Sequence, residues 1–242
     1  IIETSRRETT AEVEGRRIET KRHKTTAEVE GRRIGVCVYT HKLIPFTLFY
    51  FQFNSYKTDC VFIYIQMELC TKTLHEWLYS TQDRNLAQAK LWFKQLVSGV
   101  GYLHKKDKIH RDLKPLNILF DSHGRLKICD LGLVTDIVLI NGQEVDKTRT
   151  NIGTPMYMAP EQNFWSYTSK VDIFSLGLIL IELCVCMSKD KACEVFLHYQ
   201  RGLTSDILKG LPDVDLFVSW LTNKEPSERP SCDEILAHEF LA

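Results

Sequence analysis

Residues 108–120 read KIHRDLKPLNILF, an apolar run broken by His110, Arg111, Asp112, Lys114 and Asn117. Polar and charged groups among apolar neighbours are costly unless each is paired or used. A salt-bridged turn between a helix and a strand would meet that cost. So would a polar active-site loop. In such a loop Asp112 would accept a proton, Lys114 would hold a negative group, and Asn117 would ligate a hard metal through oxygen. Asp130 follows a short strand-like segment and would supply a second oxygen ligand, with Gly132 allowing a sharp turn. An amide and a carboxylate oxygen suit Mg2+, which takes few protein ligands and prefers phosphates and water for the rest.

The flanking segments predict the elements that would position this loop. Before it, Ala89, Phe93, Leu96, Val100 and Leu103 recur at helical spacing and mark one buried helix face, with lysines at its C-terminal end. After it, GRLKIC reads as a glycine turn followed by a short strand in which Leu126 and Ile128 alternate with polar neighbours. Residues 131–160 read as a loop carrying Gly142, Gly153 and Pro155. VDIFSLGLILIELCVC (171–186) is apolar nearly all round, the pattern of a helix buried at the centre of a lobe. Two or three amphipathic helices follow, with PSERPS as a turn between the last two. Upstream, FTLFYFQF (46–53) and CVFIYIQMEL (60–69) read as a β-hairpin around the polar turn NSYKTD.

The first residues differ. IETSRRETTAEVEGRR (2–17) recurs as IETKRHKTTAEVEGRR (18–33), with 13 of 16 positions identical. Two copies are too few for a solenoid. The unit holds only Ile, Val and Ala as apolar residues, so residues 1–34 are expected to be a solvated, disordered segment.

Composition bounds the rest. The 242 residues suffice for one large domain or two small lobes, and the formal net charge is zero. That balance gives no sign of direct nucleic-acid binding. The eight cysteines form no C-x-x-C pair or zinc-spaced cluster, which suggests reduced thiols and a cytoplasmic setting. The apolar stretches 34–53 and 173–187 are interrupted or short, so no membrane span is expected.

HRDLKPLN, then DLG, then APE, in that order, resembles the signature set of protein kinases: catalytic loop, metal-binding loop and end of the activation segment. The match runs from about residue 60 to residue 240 and implies an α+β fold: a small, incomplete β upper lobe (35–70) and a mainly helical lower lobe (71–242). The cofactors implied are ATP and Mg2+. Asp112 would orient the substrate hydroxyl and accept its proton, and Lys114 would contact the γ-phosphate. Asn117 and Asp130 would hold Mg2+. His110 would support the loop. Arg111 would pair with a phosphate on the activation segment, where Thr148 and Thr150 are candidate phosphosites. Glu161 and Arg229 would form a buried ion pair, Asp172 would brace the catalytic loop, and Leu131 would fill an apolar slot. Glu68 and Cys70 would meet the adenine at the hinge. Lys114 together with Thr154 resembles the serine/threonine class. IQMELC, GTPMYMAPEQ and YQRGLTSDIL are similar to the kinases of the alpha subunit of translation initiation factor 2. That resemblance implies this subunit as protein substrate and a homodimer formed through the upper lobe.

The pattern departs from the family upstream. No G-x-G-x-x-G loop precedes the hairpin, and neither Lys42 nor Lys57 stands where a strand lysine should. An active kinase with a divergent upper lobe, a pseudokinase acting as a protein-binding module, and an incomplete fragment all fit the sequence.

Overall fold

The computed structural model describes the backbone of residues 3–13, 16–29, 32–41, 47–51, 61–136, 138–140, 143–145, 153–163 and 167–242, with side chains for 68–135, 153–163 and 167–242. The chain divides into two compact units, Ile1–Thr71 and Lys72–Ala242.

The first unit is a five-stranded sheet of β1 (Glu3–Val13), β2 (Arg16–Val29), β3 (Arg32–His41), β4 (Thr47–Phe51) and β5 (Val61–Glu68), in the order β1-β2-β3-β5-β4. The expected hairpin is present: β4 pairs antiparallel with β5, from Thr47 opposite Gln66 to Phe51 opposite Phe62. Its expected turn and both candidate lysines, Lys42 and Lys57, lie outside the described residues.

Within the repeat, Glu3–Val13 and Arg16–Val29 are strands. β1 and β2 pair antiparallel, as do β2 and β3. Each connection is the same two residues of the repeat, Glu-Gly, between Val13 and Arg16 and again between Val29 and Arg32. Composition argued from what the unit could bury. The register instead sets Glu8 opposite Lys21, Glu12 opposite Arg17 and Glu28 opposite Arg33. The same register sets Arg7 opposite Arg22, and Thr and Val favour extended backbone.

The second unit is mainly helical. It opens with β6 (Lys72–Thr73), α1 (Leu74–Ser80) and α2 (Leu86–His104). Thr73 and Glu76 form a reciprocal capping box that starts α1, and the Asn85 side chain accepts from the Gln88 N–H to start α2. β7 (Lys108–Ile109), β8 (Ile118–Phe120) and β9 (Leu126–Ile128) follow, then β10 (Thr135–Asp136), β11 (Val138–Ile140) and β12 (Gln143–Val145) within the expected loop. β6, β8 and β9 form one antiparallel sheet and β7 pairs with β10.

α3 (Lys170–Cys184) is buried from Val171 to Cys184 and forms the axis of the unit, packed against α2 and α5 (Pro212–Leu221). A Cβ on Gly177 would lie 2.6 Å from Thr222 Cγ2, so the α3–α5 approach needs a glycine there. α4 (Lys189–Gln200) and α6 (Cys232–Ala237) complete the set. The predicted face of α2 is the buried one at Ala89, Phe93, Leu96 and Val100, joined by Val97; Leu103 is half-buried. Among the described residues no helix is long and apolar enough to cross a membrane.

Candidate active site

The catalytic-loop candidates converge on one carboxylate. Asp112 Oδ2 accepts from Lys114 Nζ at 2.6 Å and from Asn117 Nδ2 at 3.0 Å. Its Oδ1 accepts from the Thr154 hydroxyl at 2.8 Å. Lys114 Nζ also lies 2.6 Å from Thr154 Oγ1, so one ammonium bridges the carboxylate and the hydroxyl. Asp112 and Asn117 are buried, and Lys114 is only partly exposed. A buried carboxylate with three donors stays oriented.

The backbone that presents Asp112 is held from below. Asp172, in the first turn of α3 and 1% exposed, accepts from the His110 N–H and the Arg111 N–H, both at 2.9 Å. It also meets His104 Nε2 at 2.9 Å. His110 is fully buried. Its Nδ1 accepts from the Asp112 N–H at 3.3 Å and its Nε2 lies 3.1 Å from the Cys129 carbonyl. Those two contacts place the ring hydrogen on Nε2 and leave the ring as a brace between the loop and the residue before Asp130.

Arg111 has φ 69° and is buried, with its Nε donating to the Leu133 carbonyl. Its own carbonyl accepts from Gln162 Nε2 at 3.2 Å, while Gln162 Oε1 accepts from the Ala159 N–H at 2.8 Å. Gly153, at φ 123°, packs on the same carbonyl; a Cβ there would come within 2.7 Å of it. The left-handed turn at Arg111 is therefore fixed by Asp172, Gln162 and Gly153 together.

Two oxygen donors remain. Asn117 Oδ1 accepts no hydrogen bond from the described residues. Its backbone carbonyl accepts from the Cys129 N–H at 2.9 Å, which ties the next residue, Asp130, to the loop. Asp130 is exposed, in left-handed backbone (φ 61°, ψ 66°), with only a 3.4 Å contact from the Gly132 N–H. Among the described residues no cluster of three or more His, Cys, Asp or Glu could hold a metal. One amide oxygen and one carboxylate fit instead a metal that takes most of its shell from phosphate and water.

The sequence model of the protein kinase domain matches residues 48–241. The chain belongs to the protein kinase family. It is 42% identical over 201 residues to eukaryotic translation initiation factor 2-alpha kinase pek-1 of Caenorhabditis elegans, covering 76% of this chain and 19% of that protein. It is 41% identical over 191 residues to the interferon-induced, double-stranded RNA-activated protein kinase of Rattus norvegicus, covering 76% and 36%. It is 34% identical over 220 residues to the eIF-2-alpha kinase GCN2 of the same species, covering 77% and 13%. The kinase chain thus spans between about an eighth and a third of the length of these relatives.

The remaining site candidates separate into several groups. Glu161 and Arg229 form a bidentate pair, with Arg229 NH2 to Oε2 at 3.0 Å and NH1 to Oε1. Arg229 is 1% exposed, donates further to the Asn223 and Lys170 carbonyls, and lies over the Phe174 ring. Glu68 ends β5 and Cys70 follows it, both in the first unit of the kinase. Thr148 and Thr150 lie outside the described residues. Leu131 is 56% exposed, contrary to the expected apolar slot, because the tight turn 131–133 starts from the left-handed Asp130 and nothing described covers it.

Four residues of the kinase network were not picked out from sequence as site residues: Gln162, Gly153, Tyr157 and Glu182. Tyr157 OH donates to Glu182 Oε2 at 2.8 Å, and its carbonyl accepts from Ser175 Oγ at 2.8 Å. Burial pushes the Glu182 carboxyl up to about 7, against the lowering effects of the Tyr157 hydrogen bond and Arg84. Burial and the facing Glu182 raise the Tyr157 hydroxyl in turn. The usable signal was an acid inside an apolar run at 173–184, which must be paired or neutral.

Proposed function

We propose that the chain is the lower lobe, with a remnant of the upper lobe at 35–70, of a serine/threonine protein kinase. It transfers the γ-phosphoryl group of ATP to a hydroxyl of the alpha subunit of translation initiation factor 2. The observation that carries this reading is the convergence of Lys114, Asn117 and Thr154 on the Asp112 carboxylate.

In this reading Asp112 Oδ1, which now accepts from a hydroxyl, is the atom that orients and deprotonates the acceptor hydroxyl. Lys114 is held between Asp112 and Thr154 and would present its positive charge to the transferred group. Asn117 Oδ1 and the Asp130 carboxylate would hold Mg2+. When bound, the metal neutralises charge on the phosphates. Glu68 and Cys70 would supply the adenine contacts, and a phosphate on Thr148 or Thr150 would lie within the segment that Arg111 and Gln162 anchor. Direct contact of Lys114 with Thr154 supports the serine/threonine assignment. The substrate assignment rests on the names of the relatives, two of which are called initiation factor 2-alpha kinases. The homodimer and the cytoplasmic setting belong to the same reading.

A second reading, a binding module that keeps a kinase lower lobe, is favoured by one observation: no G-x-G-x-x-G occurs before Glu68. The test is the rate of transfer to the purified alpha subunit against a generic basic protein substrate. Preference for the subunit supports the first reading; binding of the subunit without transfer supports the second.

A further inference from the structure

Thr154, one of the donors on the Asp112 carboxylate, opens a short segment, 154–158, that is held from two sides. On the α3 side, Ser175 Oγ donates to the Tyr157 carbonyl at 2.8 Å, and Glu182 accepts from the Tyr157 hydroxyl at 2.8 Å. The other side is α4. There the Phe196 ring lies 5.4 Å from the Tyr157 ring, and Cys193 Sγ lies 3.7 Å from Met156 Sδ. The last residue of α4 supplies polar contacts as well. Gln200 Nε2 donates to the Pro155 carbonyl at 2.8 Å and to the Met158 carbonyl at 2.9 Å. Among the described residues no other group donates to either carbonyl.

This side chain is not spent on its own helix. Backbone groups alone close the end of α4: the Arg201 N–H donates to the Leu197 carbonyl at 3.2 Å and the Leu203 N–H to the His198 carbonyl at 2.9 Å, with Gly202 at φ 73°. The two hydrogens of one amide nitrogen match the two carbonyls, and the reversed amide would set its oxygen against both. The Tyr157 N–H donates to the Thr154 carbonyl at 2.9 Å, so the turn from Thr154 to Tyr157 is closed and shifts as a unit. What holds Pro155 and Met158 therefore also holds Thr154.

We propose that Gln200 is a positioning residue for phosphoryl transfer. It pins the peptides at Pro155 and Met158 to the end of α4. That keeps the Thr154 hydroxyl on Asp112 Oδ1 at 2.8 Å and beside Lys114 Nζ at 2.6 Å. This role rests on the reading of Asp112 as the base. It differs from packing, because the contacts of Cys193 and Phe196 need no donor and would survive without the Gln200 amide.

The test compares the full chain with Gln200→Met, which keeps an unbranched side chain and loses the donor, and with Gln200→Arg, which restores N–H donors. Hydrogen exchange at the Tyr157 amide should quicken at least about tenfold in Gln200→Met, while the amides of α3 exchange as in the native chain. The kcat/KM for the purified alpha subunit should fall at least about fivefold, with the KM for ATP unchanged. Gln200→Arg should recover both readouts to within about twofold of native. A Gln200→Met protein that melts without cooperativity is replaced by Gln200→Ala. The positioning role is overturned by native exchange at Tyr157 in Gln200→Met, by faster exchange shared equally with α3, or by unchanged kcat/KM alongside faster exchange. Equal losses in Gln200→Met and Gln200→Arg would assign the effect to packing and overturn it too. No transfer by the folded native chain would overturn the kinase reading itself, and this role with it; that outcome shows in the native sample before any variant is compared.

Discussion

The described residues of the first unit and those of the second satisfy their backbone polar groups in different ways. In the first unit the work is done by backbone ladders between neighbouring strands, and a duplicated sixteen-residue unit supplies two strands and two identical connections. In the second, single side chains reach backbone groups far away in sequence. Asp172 takes the N–H groups of His110 and Arg111, Gln162 takes the Arg111 carbonyl, and Arg229 joins Glu161, Lys170 and Asn223. A ladder tolerates repetition because each strand needs only an extended partner. A network of unique long-range bonds does not, since each member lost leaves a buried group unpaired. The contrast predicts where substitutions should hurt.

The largest effect is expected at Arg229. Arg229→Ala strands the Glu161 carboxylate and two carbonyls, and should cost about 3–5 kcal/mol, read by chemical denaturation. A cost below about 1 kcal/mol would mean the pair is a surface-type bridge, and the contrast between the units would weaken.

Glu182 gives a pH-dependent counterpart. Its carboxyl is raised from the ordinary 4.5 to about 7, so the folded state binds the extra proton between those values. Stability from this group is full below about pH 4.5 and is lost as pH rises through about 7. Two to three pH units correspond to about 3 kcal/mol. Glu182→Gln keeps an acceptor for Tyr157 and carries no charge. The stability of this variant relative to the native chain should grow by that amount from pH 4.5 to pH 8. A difference independent of pH would show that Glu182 is not titrating there.

Gly153→Ala should cost about 1–3 kcal/mol, because its φ of 123° is strained for alanine and its Cβ would meet the Arg111 carbonyl. It should also slow phosphoryl transfer more than it raises the KM for ATP, since the disturbed peptide precedes Asp112. Smallest of all, deleting residues 2–17 should leave the unfolding free energy of the second unit unchanged to within about 0.5 kcal/mol. All four tryptophans lie between residues 77 and 220, so tryptophan fluorescence reports that unit alone.

The same contrast explains what was legible in sequence. Asp112, Lys114 and Asn117 fall within six residues of one another, and the motif order extended the reading to Asp130, Glu161, Asp172 and Arg229. The helical faces of α2 and α3 were legible because apolar periodicity records burial directly. Gln162 and Gly153 were not, because a polar residue or a glycine next to a motif carries no mark of the distant carbonyl it touches. The strands of the repeat were missed for a different reason. Their pairing is a matter of backbone register, and a judgement from apolar content does not weigh it.

The central claim is that Asp112 is the base of a phosphoryl-transfer site. Its most direct test is transfer of labelled γ-phosphate from Mg-ATP by the full chain and by Asp112→Asn, with both proteins matched for cooperative melting. The account predicts transfer by the native chain and a loss of at least about a hundredfold in the variant. Equal transfer by both, or none from a folded, monodisperse native sample, would contradict it.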